Sequence, residues 1–416
     1  MTPQILASIF LAAVFLSAMT KVALMLRQMR HVRLHGDQVP APFAASISIE
    51  AHRKAAEYTR ARMQLGIVDV LLNATFVLLM TLGGGLAALH DMLAHWLPTD
   101  GLTHGVALLA ALGIAGWLIE MPITLLRIFA VEKRFGFNRM TPALFIADLL
   151  RSAAITTAIG LPLLFAVLWL MEAMGERWWL WVWLFWLAFN LLGLLIWPTW
   201  IAPLFNKFTP LADQDLKARV EKLLQRCGFQ AQGLYVMDGS RRSAHGNAYF
   251  TGFGASRRIV FFDTLLDKLA PQEIEAVLAH ELGHFHHRHI WKRIAVTSAM
   301  TLGTLWLLAW LMTQQWFFSG LGMHTESTAA ALALLSLALP AFAFPIGPLM
   351  SHWSRKNEFE ADRYAAQHTQ AEDLVSALLK LYRDNASTLT PDPLYSRVFD
   401  SHPPAAARIA QLRTPR

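Results

Sequence analysis

Seven long apolar stretches alternate with polar segments along this chain, and each is long enough to cross a bilayer as a helix of about 20 residues. They run roughly over residues 4–26, 66–90, 104–126, 146–171, 179–203, 291–312 and 328–350. No lysine or arginine precedes the first apolar run, and no clean small-residue cleavage site follows it. We therefore interpret this stretch as an uncleaved span and not as a signal peptide. The pattern predicts a mostly helical, polytopic membrane protein with a small β element.

The longest polar segment, residues 206–290, separates the fifth span from the sixth. A polar helical stretch over 213–227 precedes three short runs with strand character, at residues 233–237, 247–250 and 258–262. Gly252 and Gly254 separate the last two runs, which favours a hairpin with a longer loop. An edge strand there could pair with an extended peptide, or the sheet could only support the neighbouring helix.

These patterns divide the chain into four parts. They are an N-terminal membrane region with five spans (1–205), the soluble segment (206–290), two further spans (291–350) and a C-terminal region (351–416).

Composition agrees with a membrane protein, and the basic residues predict its orientation. The chain is 55% hydrophobic and 16% charged, whereas soluble domains carry about 25% charged residues. Basic residues are concentrated after the first and third spans, while the alternate loops together contain a single basic residue, Arg177. The positive-inside rule therefore predicts an outside N-terminus and a cytoplasmic C-terminus, in what we expect to be a bacterial inner membrane. The same rule explains the net charge of +7 without nucleic acid.

One short motif carries the candidate chemistry, His280-Glu281-Leu282-Gly283-His284. Residues four apart lie on one face of a helix, so His280 and His284 could share one Zn²⁺. Glu281 would then lie beside the metal, placed to take a proton from water. Pro271 at the first helical position and Glu273 in the first turn indicate where the helix begins. The alternative is an ordinary buried helix with two histidines.

A third ligand has a candidate downstream, where Glu358 and Asp362 lie four apart on a predicted helix. Two histidines and one glutamate form a known catalytic zinc set, and Asp362 is suited to accept a hydrogen bond from a ligand histidine. Glu360 is rotated by about 200° from Glu358, which predicts a solvated surface carboxylate. The single cysteine, Cys227, excludes an internal disulfide and a cysteine-based zinc site. The sequence therefore predicts one zinc ion per chain.

Other ionisable residues carry weaker signals. Three histidines follow the motif closely without an evident carboxylate partner, and we interpret them as interfacial side chains: His286, His287 and His289. His245 could line a cleft or lie in an exposed loop. Glu120 and Asp69 lie in or at the edge of predicted spans, where they either line a polar interior or make structural hydrogen bonds.

Together these motifs resemble the type I CAAX prenyl protease family, integral-membrane zinc endopeptidases that trim prenylated C-termini. The resemblance is carried by residues 247–253, residues 258–265, His280–His284, Glu358–Asp362, and Ser401-His402-Pro403-Pro404 with Arg408. The heat-shock-type membrane proteases share the zinc motifs but usually have fewer spans.

The resemblance implies seven transmembrane helices around an intramembrane chamber, capped by a zincin-like metallopeptidase domain. It implies that zinc is held by His280, His284 and Glu358, with Glu281 as the catalytic base and Asp362 supporting a ligand histidine. It also implies three residues that line the cleft and hold the substrate backbone or the developing oxyanion: Asn247, His402 and Arg408. The expected partners are a peptide or protein substrate, possibly prenylated, and membrane lipids.

Two other functions compete with this hypothesis. One is a quality-control protease for membrane proteins, as in the heat-shock-type relatives. The other is a non-catalytic protein that binds isoprenoids or lipids, a reading that the presence of Glu281 disfavours. The sequence pattern leaves the oligomeric state open.

Overall fold

Helices make up most of the computed structural model, which describes residues 1–251 and 258–414. The helices before the soluble segment are α1 (Pro3–Leu34), α2 (Ile49–Met80), α3 (Gly85–Ala94), α4 (Leu102–Leu125), α5 (Pro142–Ala173), α6 (Trp178–Ile196) and α7 (Ala202–Phe205). The later helices are α8 (Gln214–Arg226), α9 (Asp263–Leu266), α10 (Pro271–His286), α11 (His289–Leu311), α12 (Gln315–Gly320), α13 (Thr328–Ala343), α14 (Ile346–His368), α15 (Ala371–Asp384), α16 (Pro393–Phe399) and α17 (Ala405–Arg413).

Among the described residues, six helical segments are long and apolar enough to cross a membrane, and a bent pair gives a seventh. The bent pair is α13 with α14, whose axes differ by 65°, so the predicted seventh span over 328–350 corresponds to two helices that meet at an angle. Pro345 lies at the break, where its missing N–H and its ring oppose a continuous helix.

The second span also differs from its predicted bounds of 66–90. The helix α2 begins at Ile49 and ends at Met80, after which the chain turns into α3. Basic residues such as Arg53 and Arg62 therefore lie on a helix that extends beyond its apolar part, and not in a loop.

Polar contacts join one end of the membrane helices to the later part of the chain. The Arg27 Nε of α1 donates to both carboxylate oxygens of Asp392, at 2.9 and 2.8 Å. Arg242, which precedes β3, donates to Asp148 of α5 at 2.8 and 3.0 Å. The opposite end is closed by different contacts, among them His90 with Thr325 at 3.3 Å.

Asp69 and Glu120, the two acidic residues that the sequence analysis singled out in the spans, have local partners. The Asn73 side chain donates to Asp69 at 2.8 Å, and Arg127 lies 3.9 Å from Glu120.

The soluble segment contains a four-stranded sheet with the order β1 (Phe208–Pro210), β2 (Gly233–Met237), β4 (Arg258–Phe262) and β3 (Ala248–Thr251). Strand β2 pairs with β4 in parallel, while β1 with β2 and β3 with β4 are antiparallel. The three predicted strands and the antiparallel pairing of the last two are confirmed. The predicted loop with Gly252 and Gly254 lies outside the described residues.

The helix α10 packs between the sheet and α14, and its N-terminal end has a local explanation. It begins at Pro271, as predicted. The Glu273 carboxylate accepts the Ala270 N–H at 2.7 Å, Ser376 Oγ at 2.6 Å and Lys380 Nζ at 2.7 Å. These bonds lower the pKa of Glu273 against the effect of burial, and they fix α10 to α15.

The close approach of α10 to α14 depends on Gly283. A Cβ atom at this position would lie 2.8 Å from the Ala361 Cα and 3.0 Å from the Tyr364 Cβ. Only glycine lets the two backbones come this near without displacement. The contact brings the face of α10 that carries His280 and His284 against the face of α14 that carries Glu358.

Candidate active site

Three potential metal ligands converge where α10 meets α14. The Nε2 atoms of His280 and His284 are 3.2 Å apart. The Glu358 Oε2 lies 3.5 Å from His280 Nε2, and the Glu358 Oε1 lies 3.4 Å from His284 Nε2. Among the described residues, this is the group of three or more that could hold a metal ion.

The donor set fits zinc by type and by spacing. Ligand atoms about 2.0–2.1 Å from a tetrahedral ion lie about 3.3 Å from one another, close to the three separations measured here. The Glu358 side chain is buried, and its Oε2 has no hydrogen-bond partner among the described residues. A buried carboxylate oxygen without a partner is costly unless a cation lies beside it.

Asp362 and Arg408 lie behind the ligands. The fully buried Asp362 has its Oδ1 2.8 Å from His280 Nδ1 and accepts two bonds from Arg408, at 2.8 and 2.6 Å. If His280 Nδ1 carries the proton and donates it to Asp362, the Nε2 lone pair faces Glu358. Burial lowers the pKa of His280, but its bonds to Asp362 and Glu358 raise it, to about 9 overall. The carboxylates thus favour positive charge at His280.

The position of Arg408 differs from the expectation that it lines the cleft. Its guanidinium is buried, and it is held by Asp362 and lies 3.7 Å from Glu358 Oε2. Because α17 packs against α14 and α15, the side chain reaches the ligands from inside the protein and not from the cleft.

The open side of the ligand group faces a cavity of about 430 Å³, lined by residues that include Phe250, Glu281, Phe285, Trp353 and His402. Glu281 therefore lies where the sequence expects a base. The His402 side chain is 62% exposed, and its Nδ1 lies 2.8 Å from Glu358 Oε2. The cavity mixes aromatic and ionisable surfaces.

Asn247 and His245 are not among the residues that line this cavity. Asn247 directly precedes β3, is exposed, and accepts the Ala248 N–H at 2.9 Å. The His245 Nδ1 is 3.2 Å from Asn385 Oδ1, and its ring stacks on Phe137. His245 thus connects the segment before β3 to the membrane helices.

Two further residues of the site were missed by the sequence analysis. The His289 Nδ1 lies 2.9 Å from His284 Nδ1, and the His289 Nε2 lies 3.0 Å from Glu360 Oε2. The expectation of an interfacial His289 without a carboxylate partner is therefore wrong. Glu360, expected as a solvated carboxylate, is 36% exposed and also pairs with this histidine. No helical spacing signals the contact, because α10 ends at His286 and α11 begins at His289.

Comparisons with known proteins cover almost the whole chain. Residues 28–207 match the family model of the CAAX prenyl protease N-terminal region with five membrane helices. Residues 210–416 match the model of peptidase family M48. The boundary between the two matches falls at the start of the soluble segment.

Individual relatives give the same result. CAAX prenyl protease 1 of Saccharomyces cerevisiae is 31% identical, over 92% of this chain and 90% of the relative. The CAAX prenyl protease 1 homolog of Arabidopsis thaliana is 33% identical over 76% and 74%, and that of Homo sapiens is 29% identical over 90% and 89%. The crystal structure of S. mikatae Ste24p superposes with a TM-score of 0.91 at 30% identity, covering 98% of this chain and 99% of that one.

Proposed function

Because this chain belongs to the CAAX prenyl protease family of M48 membrane zinc metalloendopeptidases, we propose that His280, His284 and Glu358 hold one zinc ion at its hydrolytic centre. The observation that carries the proposal is the spacing of the three donors, 3.2 to 3.5 Å. We further propose that the soluble segment 206–290 and the C-terminal region 351–416 together form the catalytic domain, since α10 and α14 each supply ligands.

The surrounding residues support a general acid–base mechanism for peptide hydrolysis. A bound zinc ion supplies Lewis acidity to the scissile carbonyl and to the attacking water. Glu281, on the cavity wall, takes the proton from water and delivers it to the leaving amine nitrogen. In this proposal, Asp362 keeps the proton of His280 on Nδ1, and His402 donates a hydrogen bond to the developing oxyanion.

The substrate in this proposal is a peptide or protein segment that is processed at the membrane and carries a prenyl group. The names of the relatives support the prenylated class. The cavity supports it as well, since Phe250, Phe285 and Trp353 offer apolar surface beside the ligands. The edge position of β3 supports pairing with an extended peptide, with Asn247 at the start of the strand.

The proposed location is a bacterial inner membrane, with the catalytic domain on the cytoplasmic side. Support for this orientation comes from the basic residues after the first and third spans. Arg27 of the first of these groups contacts Asp392, and Arg242 of the soluble segment contacts Asp148 of α5. The basic ends and the catalytic domain thus share one side.

Metal content and turnover of matched variants test the proposal. His280→Ala and Glu358→Ala each remove one donor, so both should lose zinc in metal analysis of the purified protein. Glu281→Gln should keep zinc and lose hydrolysis of a prenylated CAAX peptide, because it removes the base and not a ligand. Full zinc occupancy in both ligand variants would show that the ion lies elsewhere. If unprenylated peptides were cleaved equally well, the proposed requirement for a prenyl group would be refuted, while the proposed peptidase activity would stand.

A further inference from the structure

The two ligand histidines are oriented by different arrangements. His280 contacts a buried carboxylate directly, through the 2.8 Å separation from Asp362. His284 reaches a carboxylate through a second imidazole, since His289 lies between it and Glu360 at 2.9 and 3.0 Å. We propose that His289 and Glu360 are positioning residues that hold His284 in the orientation and tautomer needed to bind the metal. This inference rests on the proposed zinc site.

The protons in this chain of contacts have one consistent assignment. If His284 offers the lone pair of Nε2 to a metal, its proton must lie on Nδ1. That N–H then donates to Nδ1 of His289, which must accept, so the proton of a neutral His289 lies on Nε2. The Nε2–H of His289 donates in turn to Glu360. Every donor in the series meets an acceptor, and neither imidazole needs to be charged.

The local backbone explains why His289 reaches His284. Between α10 and α11, Arg288 adopts a left-handed conformation with φ of 57°, which is unfavourable for a residue with a Cβ atom. This residue turns the chain so that α11 begins at once and the His289 ring folds back over the end of α10. His289 is buried, although the residues on either side of it are exposed.

His289 and Glu360 differ in exposure, so their removal should weaken zinc binding to different extents. His289 contacts the ligand itself and is buried, so its removal leaves His284 Nδ1 without its partner. The Glu360 side chain is 36% exposed, so water can replace part of what it provides. Glu360 is also absent from the cavity lining, and a change there acts on zinc only through His289.

The test is the zinc dissociation constant of the full-length protein in detergent, measured by competition with a chelator. His289→Ala should raise this constant about 10- to 100-fold, the usual effect of removing a residue that orients a metal ligand. Glu360→Gln should raise it less. The double variant should bind zinc no more weakly than His289→Ala alone, because Glu360 acts through His289. His289→Gln should recover part of the loss, since an amide can both accept and donate.

Two variants that leave the contacts of His284 with His289 and of His289 with Glu360 intact serve as controls. His286→Ala removes an exposed imidazole at the end of α10, and Glu372→Gln removes a carboxylate from an exposed ion pair with Arg413. Both variants should bind zinc as the parent does. Melting temperatures identify variants that fail to fold, and the isosteric Glu360→Gln keeps the test usable if His289→Ala is unstable.

The inference is overturned if folded His289→Ala binds zinc within twofold of the parent, or if the effects of the two single variants multiply in the double variant. A parent protein that binds no zinc would instead overturn the proposed function.

Discussion

Arg408 and His402 both approach the Glu358 carboxylate, from opposite environments. The Arg408 guanidinium is buried and bonded twice to Asp362, whereas the His402 ring faces the cavity and solvent. A buried cation between two carboxylates stabilises the fold around the ligands. An exposed imidazole beside the ligands is free to meet a substrate. Their roles should therefore separate when each is removed.

Alanine substitutions make this separation measurable. Arg408→Ala leaves Asp362 buried without its cation, so the free energy of unfolding should fall by about 3–5 kcal/mol. His402→Ala should keep the melting temperature and the zinc content while turnover falls about 10²- to 10³-fold, the typical cost of one oxyanion donor. Arg413→Ala, which breaks an exposed pair with Glu372, is the control for stability. A stable Arg408→Ala protein, or a fully active His402→Ala protein, would contradict these roles.

The residues of this site differ in how far sequence alone predicts their places. The pairs His280 with His284 and Glu358 with Asp362 are four apart, so helical geometry alone fixes their common faces. The bonds from Arg408 to Asp362 and from His289 to Glu360 join residues 46 and 71 positions apart. Such contacts depend on how whole helices pack, and no local pattern encodes them.

At the scale of elements, the site is the product of one helix contact. Gly283 lets α10 approach α14 until its backbone meets Ala361. The ligands of both helices then reach one point. The spans are predictable from the sequence because each depends on the length of one run of consecutive apolar residues. The 65° bend between α13 and α14 was not predicted, since a proline in a span does not by itself fix an angle.

A pair of glycine substitutions tests this contact. Gly283→Ala places a Cβ atom 2.8 Å from the Ala361 Cα, so the helices must separate, at a cost of about 1–3 kcal/mol and with weaker zinc binding. Gly303→Ala is the matched control, because this helical position of α11 has no atom within 4 Å of the added Cβ among the described residues. Both should be compared by melting temperature and zinc affinity. Equal behaviour of the two variants would rule out the close approach as a requirement.

At the scale of the whole molecule, the two ends of the membrane bundle are chemically different. One end carries the basic residues and is joined to the proposed catalytic domain through Arg27 with Asp392 and Arg242 with Asp148. The other end has its own contact between His90 and Thr325. The loop charges predict that the basic end of the bundle is cytoplasmic. Because these contacts join the proposed catalytic domain to that end, the same prediction places the domain on the cytoplasmic side.

Labelling of introduced cysteines tests the orientation. After Cys227→Ser, cysteines at the exposed positions Asp100 and Gln315 should react with an impermeant reagent from outside. A cysteine at Asp37 should react only after the membrane is permeabilised. Asp37 suits this purpose because its side chain is 87% exposed, whereas the nearby His52 is buried. The reverse labelling pattern would place the catalytic domain on the outer side.

The order of the site residues along the chain also sets a time for their assembly. On the ribosome, α10 with its two histidines emerges before α14, and α17 with Arg408 emerges later still. Until α14 packs against α10, the nascent chain has brought together only two of the three proposed metal ligands. Asp362 gains its bond from the Arg408 guanidinium only after α17 has been synthesised. The proposed hydrolytic centre therefore stays incomplete while the membrane helices of the same chain are still being inserted.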